Sequence, residues 1–519
     1  MFIHGPTESV LLKVADPLAV RALLRQSKAV IHPDYNVAVR HTLESAKVLR
    51  NLGHDVPAPI GSQYRWPGKY KPFAHQKVMA EFLTLNRRAF NLSEMGSMKT
   101  AATLWAADWL MSKGFIRKAL VVCPLQSMER TWQVDIFDTL MHRRVVQLRG
   151  SREKRLEALK LDVDFYIINH DGITIDPIFE ELRRRPDIDL IIVDEVSKFR
   201  NGGTIKFKKL KKLVDPVERW LWVLSGTPCP NSPTDAWALA HLVNPARVPK
   251  NFGTFKREVM LQVSQFKWVP KAEGYNQAYS AMQPAVRFLK KDCIDLPPVV
   301  TVERECELTK EQKTAFNAMR LLMQAEAKTK TITAANAADQ IGKLRQILLG
   351  AVKDPISGDY ITLPHGPRLQ VLLDTIEEAS AKVIVIVPFK GAIRALEHEI
   401  TKAGYTVGVL NGDVSSRRRD QIIRDFKETA DPHILLCHPA VMSHGLNLTE
   451  ADTLIFYGPI YSNDDYQQVL ERFNRAGQVN KMTVVKMGAH ALEWDIYKVL
   501  DNKGITQDNI LKLYQSVTE

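Results

Sequence analysis

A lysine followed by a threonine where a helix begins can hold phosphate, and this chain has such a pair at Lys99 and Thr100, closing the stretch NLSEMGSMKT (91–100). In a strand–loop–helix setting the backbone N–H groups and the positive end of the helix dipole point at the anion. Lys99 can then reach terminal phosphates, and Thr100 can ligate Mg²⁺. The full pattern GxxxxGK[ST] is absent, because Ser93 and Met98 occupy its two glycine positions. A non-glycine residue in left-handed backbone costs roughly 1–2 kcal/mol, so Met98 is expected to be right-handed with its side chain turned away. On its own the stretch reads equally well as an ordinary helix start. A second pair, Asp194 and Glu195, ends the apolar run DLIIVDE (189–195). Two acids at the carboxyl end of a buried parallel strand sit where open α/β sheets place ligands. Asp194 can hold Mg²⁺, and Glu195 can orient or deprotonate a water that attacks a γ-phosphate. Alone, this pair could be a solvated strand end; with the loop upstream, the two make one site.

These residues need a parallel sheet beneath them. Short β-rich runs at 118–125, 164–170, 189–195 and 219–227 are each followed by a helix-length polar or amphipathic stretch, the pattern of such a sheet. A second series lies at 382–389, 406–412, 433–439, 452–458 and 481–487. Two α/β lobes follow, with the mostly helical 230–370 between them and a break at the consecutive prolines of DLPPVV. The expected division is a small α+β unit at 1–65, a first lobe at 66–296 and a second at 297–519 with a helical insertion near 308–365.

Composition narrows the partners. The 519 residues are 45% hydrophobic, enough for several cores, and no apolar run nears the ~18 residues of a membrane span. Five cysteines without a CxxC pair argue against disulfide or zinc frameworks and suit a reducing cytoplasm. His54, His75 and His170 lack metal-ligand spacing and read as structural, with His75 beside any base-binding site. Lys and Arg outnumber Asp and Glu by 71 to 58, a net +13 that favours a polyanionic partner. In KFKKLKK (206–212) the apolar spacing of Phe207, Leu210, Leu213 and Val214 describes a solvated amphipathic helix.

The ordered segments FAHQ (73–76), EMGSMKT (94–100), VVCPLQSMERTW (121–132), IINHDGI (167–173), DEVSKFRN (194–201) and LSGTPCPN (224–231) resemble the first lobe of superfamily-2 helicase-type ATPases. VLNGDVSSRRRDQIIRDF (409–426) and SHGLNLTEADTLIFYGPIYSNDDYQQVLERFNRAGQ (443–478) are similar to the distal motifs of the Swi/Snf-type DNA translocases. The resemblance covers about 66–490 and implies two tandem RecA-like lobes, ATP and Mg²⁺, and duplex or branched DNA as partner. It implies that Gln76 reads adenine; that Gly96, Ser97, Met98, Lys99 and Thr100 cradle the phosphates; and that Thr100 and Asp194 serve the metal and Glu195 the water. Arg475 would be an arginine finger with Arg472 its companion, and Gln468, Arg472 and Arg475 fall at i, i+4 and i+7, one helix face. Ser225, Thr227 and Gln468 would couple hydrolysis to movement, and Gly445 and Asn447 resemble a motif near the lobe interface, Gly445 on the nucleotide side. Gln126, Asn169 and His438, loop positions at strand ends, are the expected DNA contacts. Where the family has Asp-Glu-x-His, this chain has Ser197. Residues 1–65, outside the resemblance, read equally well as a small accessory domain that grips DNA or a replication or recombination protein and as a packing extension of the first lobe. The implied activity is ATP-driven translocation on double-stranded DNA; a strand-separating helicase and a nucleotide-gated scaffold with weak hydrolysis are the alternatives.

Overall fold

The computed structural model describes residues 1–94, 96–215, 219–226, 229, 232–264, 268–289, 292–293, 299–329, 334–354, 357–442, 450–474, 481–501 and 507–518. The chain divides into two compact units, Met1–Ile294 and Asp295–Glu519.

The first unit is built on a seven-stranded sheet. From edge to edge its strands are Ala285–Val286, Arg88–Asn91, Trp220–Leu224, Ile188–Val193, Lys118–Cys123, Phe165–Asn169 and Val145–Gln147. Every pairing is parallel, so all carboxyl ends share one edge. The central runs IDLIIV and KALVVC are buried almost throughout, as strands covered by helices on both faces must be. The lysine-rich helix Ile205–Val214 buries Phe207, Leu210, Leu213 and Val214, the face its spacing indicated.

Residues 1–65 begin with an antiparallel sheet in the order Phe2–His4, Ser9–Leu12, Tyr35–Arg40, Lys28–His32. Val10, Leu12, Val37 and Val39 alternate inward. They belong to the same hydrophobic cluster as Leu104, Trp105 and Trp109 of the helix Lys99–Ser112. That helix is buried from Ala102 to Leu110, Asp108 included. The Asp108 carboxylate accepts hydrogen bonds from Tyr64 Oη at 2.5 Å, Arg143 Nε at 2.6 Å and His142 Nε2 at 2.9 Å, which answers its burial. The helix behind the phosphate-loop sequence is thereby locked to its surroundings on every side.

The second unit has six parallel strands in the order Val299–Glu305, Met482–Gly488, Ala451–Phe456, Lys382–Ile386, Ile434–Cys437, Val407–Leu410. The first of these was not foreseen: it directly follows the proline pair read as a break. It is an edge strand whose side chains are mostly exposed, so it lacks the apolar run that marks its neighbours. Helices Lys310–Thr329 and Ala334–Leu348 and a hairpin, Ala351–Lys353 with Tyr360–Thr362, precede the remaining strands. Two buried arginines brace the turn after Ala451–Phe456. Arg368 Nη1 donates to the Tyr457 carbonyl at 2.6 Å and pairs with Glu493 at 2.5 Å, while Arg345 Nη2 donates to the Pro459 carbonyl. Burial pulls the Arg345 guanidinium down to about 10, still charged at neutral pH.

Candidate nucleotide-binding site

Strand Arg88–Asn91 leads into the loop 92–98 and then the helix Lys99–Ser112, the strand–loop–helix order the sequence indicated. Gly96 has φ +80°. Met98, the residue before the helix, has φ 55° and ψ 37°, so the expected right-handed backbone is wrong: Met98 stands in the left-handed conformation for which a glycine is normally chosen. The reason is visible in the carbonyls. His75 Nε2 bonds the Ser97 carbonyl at 3.0 Å and Gln76 Nε2 donates to the Met98 carbonyl at 3.1 Å. With both carbonyls drawn toward the helix Ala74–Leu85, the backbone must reverse at Met98 to enter the next helix. The strain of roughly 1–2 kcal/mol is held by those two bonds.

Gln76 is buried, and its Oε1 accepts from the Phe73 N–H at 2.9 Å. Its amide thus shapes the loop and keeps one N–H and one lone pair for a ligand. Lys99 Nζ lies 3.3 Å from the Ser93 carbonyl, folded across the loop it would serve. The Ser97 hydroxyl is wholly enclosed without a hydrogen-bond partner among the described residues. A buried hydroxyl without a partner, two residues before Lys99, is chemistry that fits a phosphate oxygen. Thr100 occupies the first turn of the helix.

Two strands away, with Trp220–Leu224 between, Ile188–Val193 delivers Asp194 and Glu195 to the same edge. The registers Leu224 opposite Asn91 and Val223 opposite Val193 set the three strand ends level. At about 4.8 Å per strand, loop and acids stand roughly 10 Å apart. Asp194 is aimed rather than loose: Trp132 Nε1 donates to Oδ2 at 2.9 Å, and the Glu195 N–H donates to Oδ1 at 3.0 Å. Glu195 has φ 51° and ψ 52°, a second left-handed non-glycine residue at this edge. His170 Nε2 bonds the Asp194 carbonyl at 2.8 Å, and burial lowers its pKa, so the ring is neutral there. The role of the Trp132 indole carries no signal in the sequence, because a tryptophan on a neighbouring strand's crossover has no spacing that links it to an acid 62 residues on.

Ser225 ends the strand between them, its N–H on the Asn91 carbonyl at 3.1 Å and its hydroxyl enclosed without a hydrogen-bond partner among the described residues. Gln126 and Asn169 leave the carboxyl ends of the two strands beyond. The Asn169 Oδ1 accepts from Arg155 at 3.0 Å, whereas the Gln126 Oε1 is enclosed without a hydrogen-bond partner among the described residues. Ser197 is buried on the short turn after Glu195. In the second unit, His438 follows Ile434–Cys437, and Gln468 and Arg472 share the helix Asn463–Phe473, capped by Ser462. Thr227, Gly445, Asn447 and Arg475 lie outside the described residues.

A lysine loop and an acidic strand end thus share one carboxyl edge of a parallel sheet with a single strand between them, the edge at which open α/β sheets bind their ligands. Residues 58–351 match the SNF2-related domain, and residues 367–477 match the helicase conserved C-terminal domain. The chain belongs to the SNF2-related family, and the pair of domains makes it a DNA-dependent ATPase of the superfamily-2 type. It is 26% identical over 427 residues to the protein p41 of Acyrthosiphon pisum secondary endosymbiont phage 1, covering 79% of this chain and 90% of that one. It is 23% identical to the DNA repair and recombination protein RDH54 of Saccharomyces cerevisiae, over 70% of this chain; the match spans 43% of the yeast protein's length. Among solved structures, the Sulfolobus solfataricus SWI2/SNF2 ATPase core in complex with dsDNA is similar over 87% of this chain and 95% of that chain, with 20% identity and a TM-score of 0.41.

Proposed function

We propose that the chain hydrolyses ATP to move along double-stranded DNA, remodelling forks or branched intermediates or displacing bound protein. The observation that carries the reading is the pairing of a strained, carbonyl-braced phosphate loop with an Asp194 held from two sides, in a chain matching both SNF2-related and helicase C-terminal domains. In this reading Gly96, Ser97, Met98 and Lys99 bind the phosphates, and Gln76 orients the loop and the base. Thr100 and Asp194 hold Mg²⁺, which when bound neutralises β- and γ-phosphate charge. Glu195 takes the proton of the attacking water. Arg472 and Arg475 supply the fixed positive charge that such sites use on the γ-phosphate, worth ~10³ to 10⁵ in rate. Ser225, Thr227 and Gln468 couple turnover to movement, and Gly445 joins the nucleotide-binding residues. Gln126, Asn169 and His438 are proposed DNA contacts, and residues 1–65 a further grip on DNA or on a replication or recombination protein. The relative named for DNA repair and recombination supports this assignment.

The test compares ATP turnover with duplex, branched and single-stranded DNA, together with triplex displacement and unwinding of a tailed duplex. Translocation predicts duplex stimulation and triplex displacement without unwinding. Unwinding would instead mark a helicase, and absence of turnover on every DNA would leave a nucleotide-gated scaffold.

A further inference from the structure

Ser93 stands where the phosphate-loop pattern has its first glycine, and the structure gives its hydroxyl a task. The edge strand Ala285–Val286 runs parallel to Arg88–Asn91, and the pairing continues past both strands into the loop. The Leu92 N–H donates to the Val286 carbonyl at 2.8 Å and the Glu94 N–H to the Phe288 carbonyl at 3.0 Å. Between them the Phe288 N–H donates to Ser93 Oγ at 3.2 Å. A glycine there would leave that N–H without this acceptor.

Phe288 reaches the other limb of the loop as well. Its ring lies 5.9 Å from that of His75, centroid to centroid, and His75 Nε2 bonds the Ser97 carbonyl at 3.0 Å. One residue of the segment leaving the first unit therefore touches the loop on its way up, at Ser93 and Glu94, and on its way down, through His75 at Ser97. Lys99 completes the chain of contacts, since its Nζ bonds the carbonyl of the same Ser93. A phosphate entering the loop competes for Lys99 and loosens its hold on Ser93. A two-residue edge strand has few bonds of its own, so its position follows its partner's.

We infer that Ser93 is a positioning residue that ties the phosphate loop to Phe288, so that phosphate binding at Lys99 is transmitted to the segment 285–289 at the end of the first unit. The inference rests on the nucleotide reading of the loop, and the experiment separates the two. Hydrogen–deuterium exchange of the full chain is followed over 284–289 with and without Mg²⁺ and a non-hydrolysable ATP analogue. Occupancy is measured independently with a fluorescent form of the analogue, and each protein is held at its own saturating concentration. The expected result is a change of roughly fivefold in exchange over 284–289 on binding, the size of one hydrogen bond's net contribution. In Ser93→Ala the change falls below about twofold, and in Ser93→Thr, which keeps the hydroxyl, it returns. Binding with no exchange response in the wild type, or an unaltered response in Ser93→Ala, overturns the tie while leaving the nucleotide site standing. No binding at all, with Lys99→Ala matching the wild type, overturns the site and the tie together.

Discussion

Met98 shows what a single side chain costs at a strained position. Its left-handed backbone is maintained by the Gln76 bond to its carbonyl and by the helix that follows. Met98→Gly removes a strain of about 1–2 kcal/mol but adds freedom to the unfolded chain, for a net gain of about 0.5–1 kcal/mol. Met98→Ala keeps the strain and gains nothing. Thermal melts should therefore rank glycine above methionine and alanine; equal melting of the glycine and alanine variants would contradict the strain. Trp132 makes the second residue-scale prediction. Trp132→Phe keeps most of the volume but removes the donor to Asp194 Oδ2. An outer-shell loss of this kind weakens metal binding by roughly 10- to 100-fold, so the Mg²⁺ concentration for half-maximal turnover should rise while the fold, read by circular dichroism, is retained. That Lys99 and Thr100 start a helix after a strand and loop, and that Asp194 and Glu195 follow a buried strand of the same sheet, was legible because residue types and apolar runs mark those elements locally. The Met98 conformation was not, since it is imposed by bonds from a helix about 20 residues upstream.

Among the elements, the central strands were legible because both faces are covered and the sequence runs apolar without alternation. Strand Val299–Glu305 was hidden by its exposure, and Ala285–Val286 by its length of two residues. The turn at Tyr457–Pro459 depends on residues far away in sequence, Arg345, Arg368 and Glu493, which no local pattern connects. Glu493→Ala leaves Arg368 charged and enclosed; stability of the second unit should fall by about 3–5 kcal/mol, seen as an early transition in denaturant titration. In the first unit His41, His75 and His170 all have pKa values lowered by burial from an ordinary 6.5. The folded histidines stay neutral where unfolded ones take up protons, so their contribution is full above pH 6.5 and lost as pH falls through the folded values. Denaturant titrations should show stability flat from pH 8 to 7 and falling from 6.5 toward 5.5; a flat profile across that range would contradict the assignment.

On the scale of the whole chain, the net charge of +13 and the SNF2-related and helicase C-terminal domains point to a polyanion gripped through its phosphates. Such contacts release counterions, and ~6–10 of them lower affinity by ~10³ to 10⁵ between 50 and 200 mM salt. DNA binding should follow that slope with little preference for base sequence; salt-independent binding would contradict it. The central claim is that Lys99 and Glu195 serve one ATP whose hydrolysis duplex DNA drives. The most direct measurement is steady-state ATP turnover with and without duplex in the wild type, Lys99→Ala and Glu195→Gln, with nucleotide binding measured alongside. The account predicts strong duplex stimulation in the wild type, no turnover in either variant, and retained binding in Glu195→Gln but not in Lys99→Ala. Duplex-stimulated turnover that survives in Glu195→Gln would contradict it.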